Sequence, residues 1–200
     1  MIDKEQVKEQ IRMAFAAVEY PGDWCLRDSD EGDEPFLVER DFKGKTDWRA
    51  LDTGFIDRSP DGLASALGFF SDEAFHFYLP AYMIADLDDL LERSNPVFHL
   101  TYGLDDSSRH QRINPRRFGE RTWADHTRCK FAMFKREEVA AIAAYLKFKA
   151  ETDAFHRKDI EQALRNYWNE RMAELGAPPN GGPATPPSNS GVAEGPPSVS

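Results

Sequence analysis

The stretch FFSDEAFHFYLPAYMIADLDDLL, residues 69–91, sets His76 in a dense run of aromatic side chains, with Tyr78 and Tyr82 close by in the chain. An imidazole beside phenols could serve as a general base or a metal ligand. Ligation needs several donors at suitable spacing, and no His, Asp or Cys stands three or four residues after His76. The pattern favours a packed histidine at the edge of a core and predicts no metal site.

A second candidate is the acidic stretch DSDEGDE, residues 28–34, which carries Asp28, Asp30, Glu31, Asp33 and Glu34. With Glu39 it matches three ligand positions of an EF-hand loop, but Gly32 stands one place before the required glycine, and helical apolar patterns do not flank the loop on both sides. A solvated acidic loop is expected, and its charge would suit a basic protein partner. The third candidate is arginine-rich. Arg109, Arg112, Arg116 and Arg117, followed by Arg121 and Arg128 and accompanied by His110 and His126, crowd residues 105–130. Two readings stay open: a patch for phosphate or an acidic partner, or a loop paired with the acidic remainder of the surface.

Other chemistry has no motif to stand on. Gly-x-Gly-x-x-Gly, Walker, Gly-x-Ser-x-Gly and His-Glu-x-x-His patterns are absent from the sequence. Cys25 and Cys129 form no Cys-x-x-Cys pair, and nothing local selects either as a nucleophile with a particular histidine. No catalytic residue and no cofactor is assigned.

The elements that must position these residues read as helices. Val7, Ile11, Ala14, Phe15 and Val18 recur at helical spacing behind Asp3 and Glu5, which predicts a helix over about residues 3–19 that stops at Tyr20-Pro21-Gly22-Asp23. Phe36-Leu37-Val38 reads as a short strand or as loop anchors. Asp47 is a candidate cap for a short helical pattern at Trp48 and Leu51, and Ser59-Pro60 opens another through Leu63, Ala64 and Leu67 to Gly68. Ser71 caps the helix of residues 72–92, whose apolar positions continue through Pro80, so that proline predicts a kink rather than a stop. VFHLTYGL, after Pro96, is undecided between helix and strand. Helices are expected over about 136–149 and 153–175, with Gly176 as the stop.

Residues 177–200 contain many prolines and glycines, no aromatic and one charge, a composition that predicts a disordered tail. The expected architecture is mainly α: a small single-domain bundle of about five to six helices over residues 1–176. A net charge of −10 makes nucleic acid an unfavourable partner, and no apolar run reaches membrane-spanning length. Two cysteines and no basic-apolar leader place the chain in the reducing cytoplasm by expectation. Oligomeric state has no signature in the sequence.

IRMAFAAVEYPGD, Trp48-Arg49-Ala50-Leu51 and FFSDEAFHFYLPAYM, in this order, resemble a bacterial family, domain of unknown function 6714. The resemblance covers about the first half of the folded region, with a further match to the helix at 136–149. It implies a small α-rich cytosolic domain and brings no activity and no catalytic residue with it. The arginine-rich segment, residues 153–175 and the tail depart from the matched pattern. Two classes of function follow: a protein-binding or regulatory module with an acidic surface, or an enzyme working from a pocket near the kinked helix, with Tyr20, Asp23 or His76 reaching into it.

Overall fold

The computed structural model describes residues 3–60 and 65–176, and these are mainly helical. The α-helices are α1 (Lys4–Ala14), α2 (Glu34–Phe42), α3 (Thr53–Arg58), α4 (Asp72–Leu87), α5 (Pro96–Thr101), α6 (Pro115–Phe118), α7 (Trp123–Phe131), α8 (Arg136–Thr152), α9 (Arg157–Ala163) and α10 (Asn169–Gly176). Among the described residues, extended pairing is confined to two isolated antiparallel bridges, Arg27 with Phe70 and Arg112 with Thr122. No helix among them is long and apolar enough to cross a membrane.

Helix α4 is the axis of the fold. Phe75, Tyr78, Tyr82 and Met83 are fully buried, and Phe77, Leu79 and Ala81 on its other sides are buried too. A helix apolar on nearly all sides must lie inside, covered by neighbours. Helices α1 and α3 and the turn Trp48–Ala50 pack against it, α1 also lies along α8, and α8 carries α9 and α10. Pro80 sits within α4, so the helix passes through the proline as expected, but it ends at Leu87 and not at residue 92. The helix ends before Leu90, which is 55% exposed, because Asp88 and Asp89 turn the chain out, Asp89 with φ 56°.

The phenols on α4 reach backbone acceptors in the surrounding loops. Tyr78 Oη donates to the Lys45 carbonyl at 2.8 Å and Tyr82 Oη to the Ile56 carbonyl at 3.1 Å. Each ring fills the core while its hydroxyl satisfies a carbonyl that would otherwise be buried without a partner. The YPGD turn is fixed in the same way: Asp23 Oδ1 accepts from Tyr20 Oη and, at 2.9 Å, from the Gly44 amide.

His76 lies where the sequence placed it, at the edge of the core. Its side chain is 15% exposed, and Nε2 donates to Glu138 Oε2 at 2.9 Å, while the ring meets Phe134 edge-on at 4.8 Å between centroids. Glu138, 1% exposed, also accepts from the Lys135 amide at 2.7 Å. Among the described residues no three His, Cys, Asp or Glu side chains come together as a metal site would require.

Several local expectations are corrected or resolved. Phe36-Leu37-Val38 is neither strand nor loop anchor: it belongs to α2, opened by Pro35 in the first turn, with Val38 and Phe42 buried four residues apart. VFHLTYGL resolves as α5, where Asn95 Oδ1 caps the Phe98 amide at 2.9 Å. The first helix ends at Ala14 rather than at 19, yet Phe15 is still fully buried. The last helix breaks: Asp153 ends α8, and the π-turn Leu164–Trp168 interrupts the run between α9 and α10. The extra residue per turn lets neighbouring Tyr167 and Trp168 both be buried. Asp47 does cap Trp48–Ala50, accepting from the Arg49 amide at 3.0 Å. The helix expected through Leu63 and Ala64 falls largely on residues 61–64, outside the described residues, and the turn Ala66–Gly68 that follows is capped by Ser65. The predicted tail, 177–200, is also outside them.

Candidate functional site

A cleft of about 860 Å³ opens where the start of α4 meets the acidic loop on one side and α5 and α7 on the other. Its floor comes from a strand-like contact. The Asp28 amide donates to the Phe69 carbonyl at 3.0 Å and the Ser71 amide to the Leu26 carbonyl at 3.2 Å. Ser71 Oγ caps the Ala74 amide at 3.0 Å while donating to the Cys25 carbonyl at 2.6 Å. These bonds hold Asp28 beside Asp72, so two acids from distant parts of the chain border one space.

The opposite wall is aromatic. Phe98 stacks on Tyr102 with centroids 5.1 Å apart, and Tyr102 meets Trp123 edge-on at 5.0 Å. Phe98 and Phe118, 47% and 41% exposed, stand open at the rim. The wall is continuous because α5 and α7 approach closely at Gly103: a Cβ there would sit 2.9 Å from the Trp123 carbonyl and closer still to Thr127, and φ is +81°. Only glycine meets both conditions. From beneath, Trp168 steadies both helices, donating from Nε1 to the Leu100 carbonyl at 3.0 Å and packing on Phe131 at 4.9 Å.

Helix α7 contributes the polar groups. Thr122 and Asp125 form a reciprocal capping box, and the Trp123, Thr127 and Lys130 side chains then face the cleft with His126 between them. Lys130 Nζ lies 3.9 Å from the centroid of the fully buried Phe75 ring. Among the described residues it has neither a hydrogen bond nor an ion pair. Burial lowers its pKa, against the opposing pull of Asp72 and Asp28. Burial likewise raises that of Asp28, with Lys130 opposing and Asp72 adding to the rise. Burial thus displaces both groups toward their neutral forms. His99, also in the cleft, is lowered to about 4 by burial and then by Lys130, so it is a neutral imidazole at pH 7. His126 is lowered by burial first, then by Arg121 and Lys130.

The residues singled out in the sequence divide between the cleft and its surroundings. Asp28 and Arg117 line it. Glu31 reaches Arg117 at 2.7 Å, joining the acidic loop to the arginine-rich segment across the rim, and Asp30 pairs with Arg27. Asp33 precedes α2 and Glu34 opens it, both exposed. Arg109 lies 3.8 Å from Asp106 and Arg112 2.5 Å from Glu120, while Arg116 is exposed on α6. The arginine-rich segment is a tied excursion: Ile113 donates to the Arg121 carbonyl at 3.0 Å and Trp123 to the Gln111 carbonyl at 2.9 Å. Tyr20, Asp23 and His76, the residues named for a pocket near the kinked helix, do not line this one. The sequence reading passed over Lys130, Trp123, Tyr102 and His99. Trp123, Thr127 and Lys130 share a helical face at intervals of four and three, a spacing that could have marked α7.

No curated protein and no solved structure matches the chain. The family model that does match covers residues 3–172, including the arginine-rich segment and most of the final helical run. The chain belongs to the family of unknown function DUF6714.

Proposed function

We propose that this protein binds a small planar molecule, bearing a carbonyl oxygen, in the cleft between the start of α4 and helices α5 and α7. The observation that carries the reading is Lys130: a half-buried amine against an aromatic face, lacking a hydrogen-bond or ion-pair partner among the described residues, at the foot of a wall built from Phe98, Tyr102 and Trp123. A flat ring laid on that wall buries apolar surface, and an acceptor oxygen directed at Nζ supplies the hydrogen bond that Lys130 lacks. Asp28 and Asp72 border the same cleft, and burial displaces the Asp28 carboxyl toward its protonated form.

The acidic loop gives weaker support to docking on a basic protein, because Asp30 and Glu31 are already paired within the chain by Arg27 and Arg117. Benzamide, flat and neutral with one carbonyl, is a suitable probe, and its binding can be followed by isothermal titration calorimetry. A dissociation constant of about 0.1–1 mM is expected for a ligand of that size. Trp123→Ala and Lys130→Met should each weaken it about tenfold, the loss of roughly one hydrogen bond or one stacking contact. Binding that both substitutions leave unchanged would place the ligand elsewhere and overturn the reading.

A further inference from the structure

Three lysines of this chain are withdrawn from solvent to different ends. Lys8 and Lys149, 8% and 9% exposed, each hold a carboxylate: Lys8 Nζ lies 2.8 Å from Asp88 Oδ2 and Lys149 Nζ 3.0 Å from Asp86 Oδ2. In each pair the carboxylate occupies Nζ and keeps it from a ligand. Lys130 is different. Its Nζ rests on the Phe75 ring, borders an open cleft, and has no carboxylate within ion-pair distance among the described residues.

We infer that Lys130 is a nucleophile that forms a Schiff base with an aldehyde or ketone held on the Phe98–Tyr102–Trp123 wall. The inference rests on the cleft being the ligand site and deepens it by naming the substrate class. An amine attacks carbonyl carbon only when neutral. Burial disfavours the ammonium, opposed by the Phe75 ring face and by the pull of Asp72 and Asp28, and no carboxylate among the described residues lies within ion-pair distance of Nζ. In the first half of the reaction the Nζ lone pair forms the C–N bond and the carbonyl π pair moves to oxygen, which takes up a proton. In the second half the C–O bond breaks. Nitrogen supplies both protons in the net balance, oxygen leaves as water, and the C=N bond is complete without any oxidant or reductant. Asp28, in the acidic loop, borders the cleft with its carboxyl displaced by burial toward its protonated form, placed to relay those protons. His126 on α7 is a further proton carrier on the same helix as Lys130.

The test uses the full chain with benzaldehyde, the reactive counterpart of benzamide, and sodium borohydride to reduce any C=N bond to a stable secondary amine. Peptide mapping by mass spectrometry then reads which lysine carries the benzyl group. At pH 7 Lys130 should be labelled at least about tenfold faster than Lys8 or Lys149, whose Nζ atoms are occupied by Asp88 and Asp86. An excess of benzamide should protect Lys130 alone. Lys130→Arg, which keeps an N–H donor but cannot form the imine, should lose the fast label while still binding benzamide. Lys130 labelled no faster than the other lysines while benzamide still binds in the cleft would overturn the Schiff base and leave the binding site standing. Absence of both label and benzamide binding would overturn the two together.

Discussion

Glu31 Oε1 lies 2.7 Å from Arg117 Nη1, so residues far apart in the chain close one rim of the cleft. The pair is open to water, with side chains 73% and 57% exposed, so its contribution is small. A double-mutant cycle of Glu31→Gln and Arg117→Gln, read by urea unfolding, should return a coupling of about 0.5 kcal/mol or less that vanishes near 1 M salt. A coupling several times larger would show that the rim is structurally rigid, not merely electrostatically joined.

His76 and Glu138 are a different kind of pair, because Glu138 is 1% exposed. Removing the imidazole leaves a buried carboxylate with one fewer donor. His76→Ala should therefore cost about 2–4 kcal/mol, more than an ordinary half-buried truncation. The double variant His76→Ala, Glu138→Gln should recover part of that loss, since it removes the unpaired charge. Equal stability of the single and double variants would show that the carboxylate is not left uncompensated.

Tyr82 and Pro80 lie close together on α4 and should respond in opposite ways. Tyr82→Ala removes a fully buried ring and its hydrogen bond to Ile56, at a cost of about 3–5 kcal/mol. Pro80→Ala restores an amide donor to a helix that already runs through the position, so circular dichroism should show an unchanged helical content. Loss of helical signal in Pro80→Ala would mean that the proline itself is required for packing.

That contrast also marks what could be read in advance. Helix α4 was legible because its apolar stripe continues through a residue that usually stops a helix. The short helices α2 and α5 were not, since six to nine residues give too few turns for periodicity to separate helix from strand. In α2 the decisive feature was the pairing of Val38 with Phe42, which matters only once a core exists to receive both. The acidic loop and the arginine-rich segment were each recognised, but their meeting at Glu31 and Arg117 depends on tertiary structure. Lys130 lay hidden for the same reason: a lysine near the end of a helix is ordinarily solvated, and only the fold brings it against Phe75.

His99 predicts how stability responds to acid. Its folded pKa of about 4 lies below the unfolded value of 6.5, so between those values the unfolded chain binds the extra proton. Stability must then rise with pH across that window and be lost as pH falls from 6.5 toward 4, by about 2–3 kcal/mol at full effect. Asp28, with its raised pKa, acts in the opposite sense above 3.8 and offsets part of the change. Lys130, Asp72 and His126 border the same cleft. Urea unfolding across the window should show the slope, and His99→Phe should flatten it. An unaltered slope in His99→Phe would assign the acid sensitivity to another group.

A planar carbonyl compound bound in the cleft between the start of α4 and helices α5 and α7 would perturb the amide chemical shifts of a nitrogen-15-labelled chain around it. Benzamide titrated into the full chain should shift amides clustered at residues 67–73, 98–103 and 123–131, with saturation that fits a single site. Shifts clustered instead around Trp48, Leu51 and Ile84, which line the smaller groove of about 300 Å³, or scattered without saturation, would contradict the account.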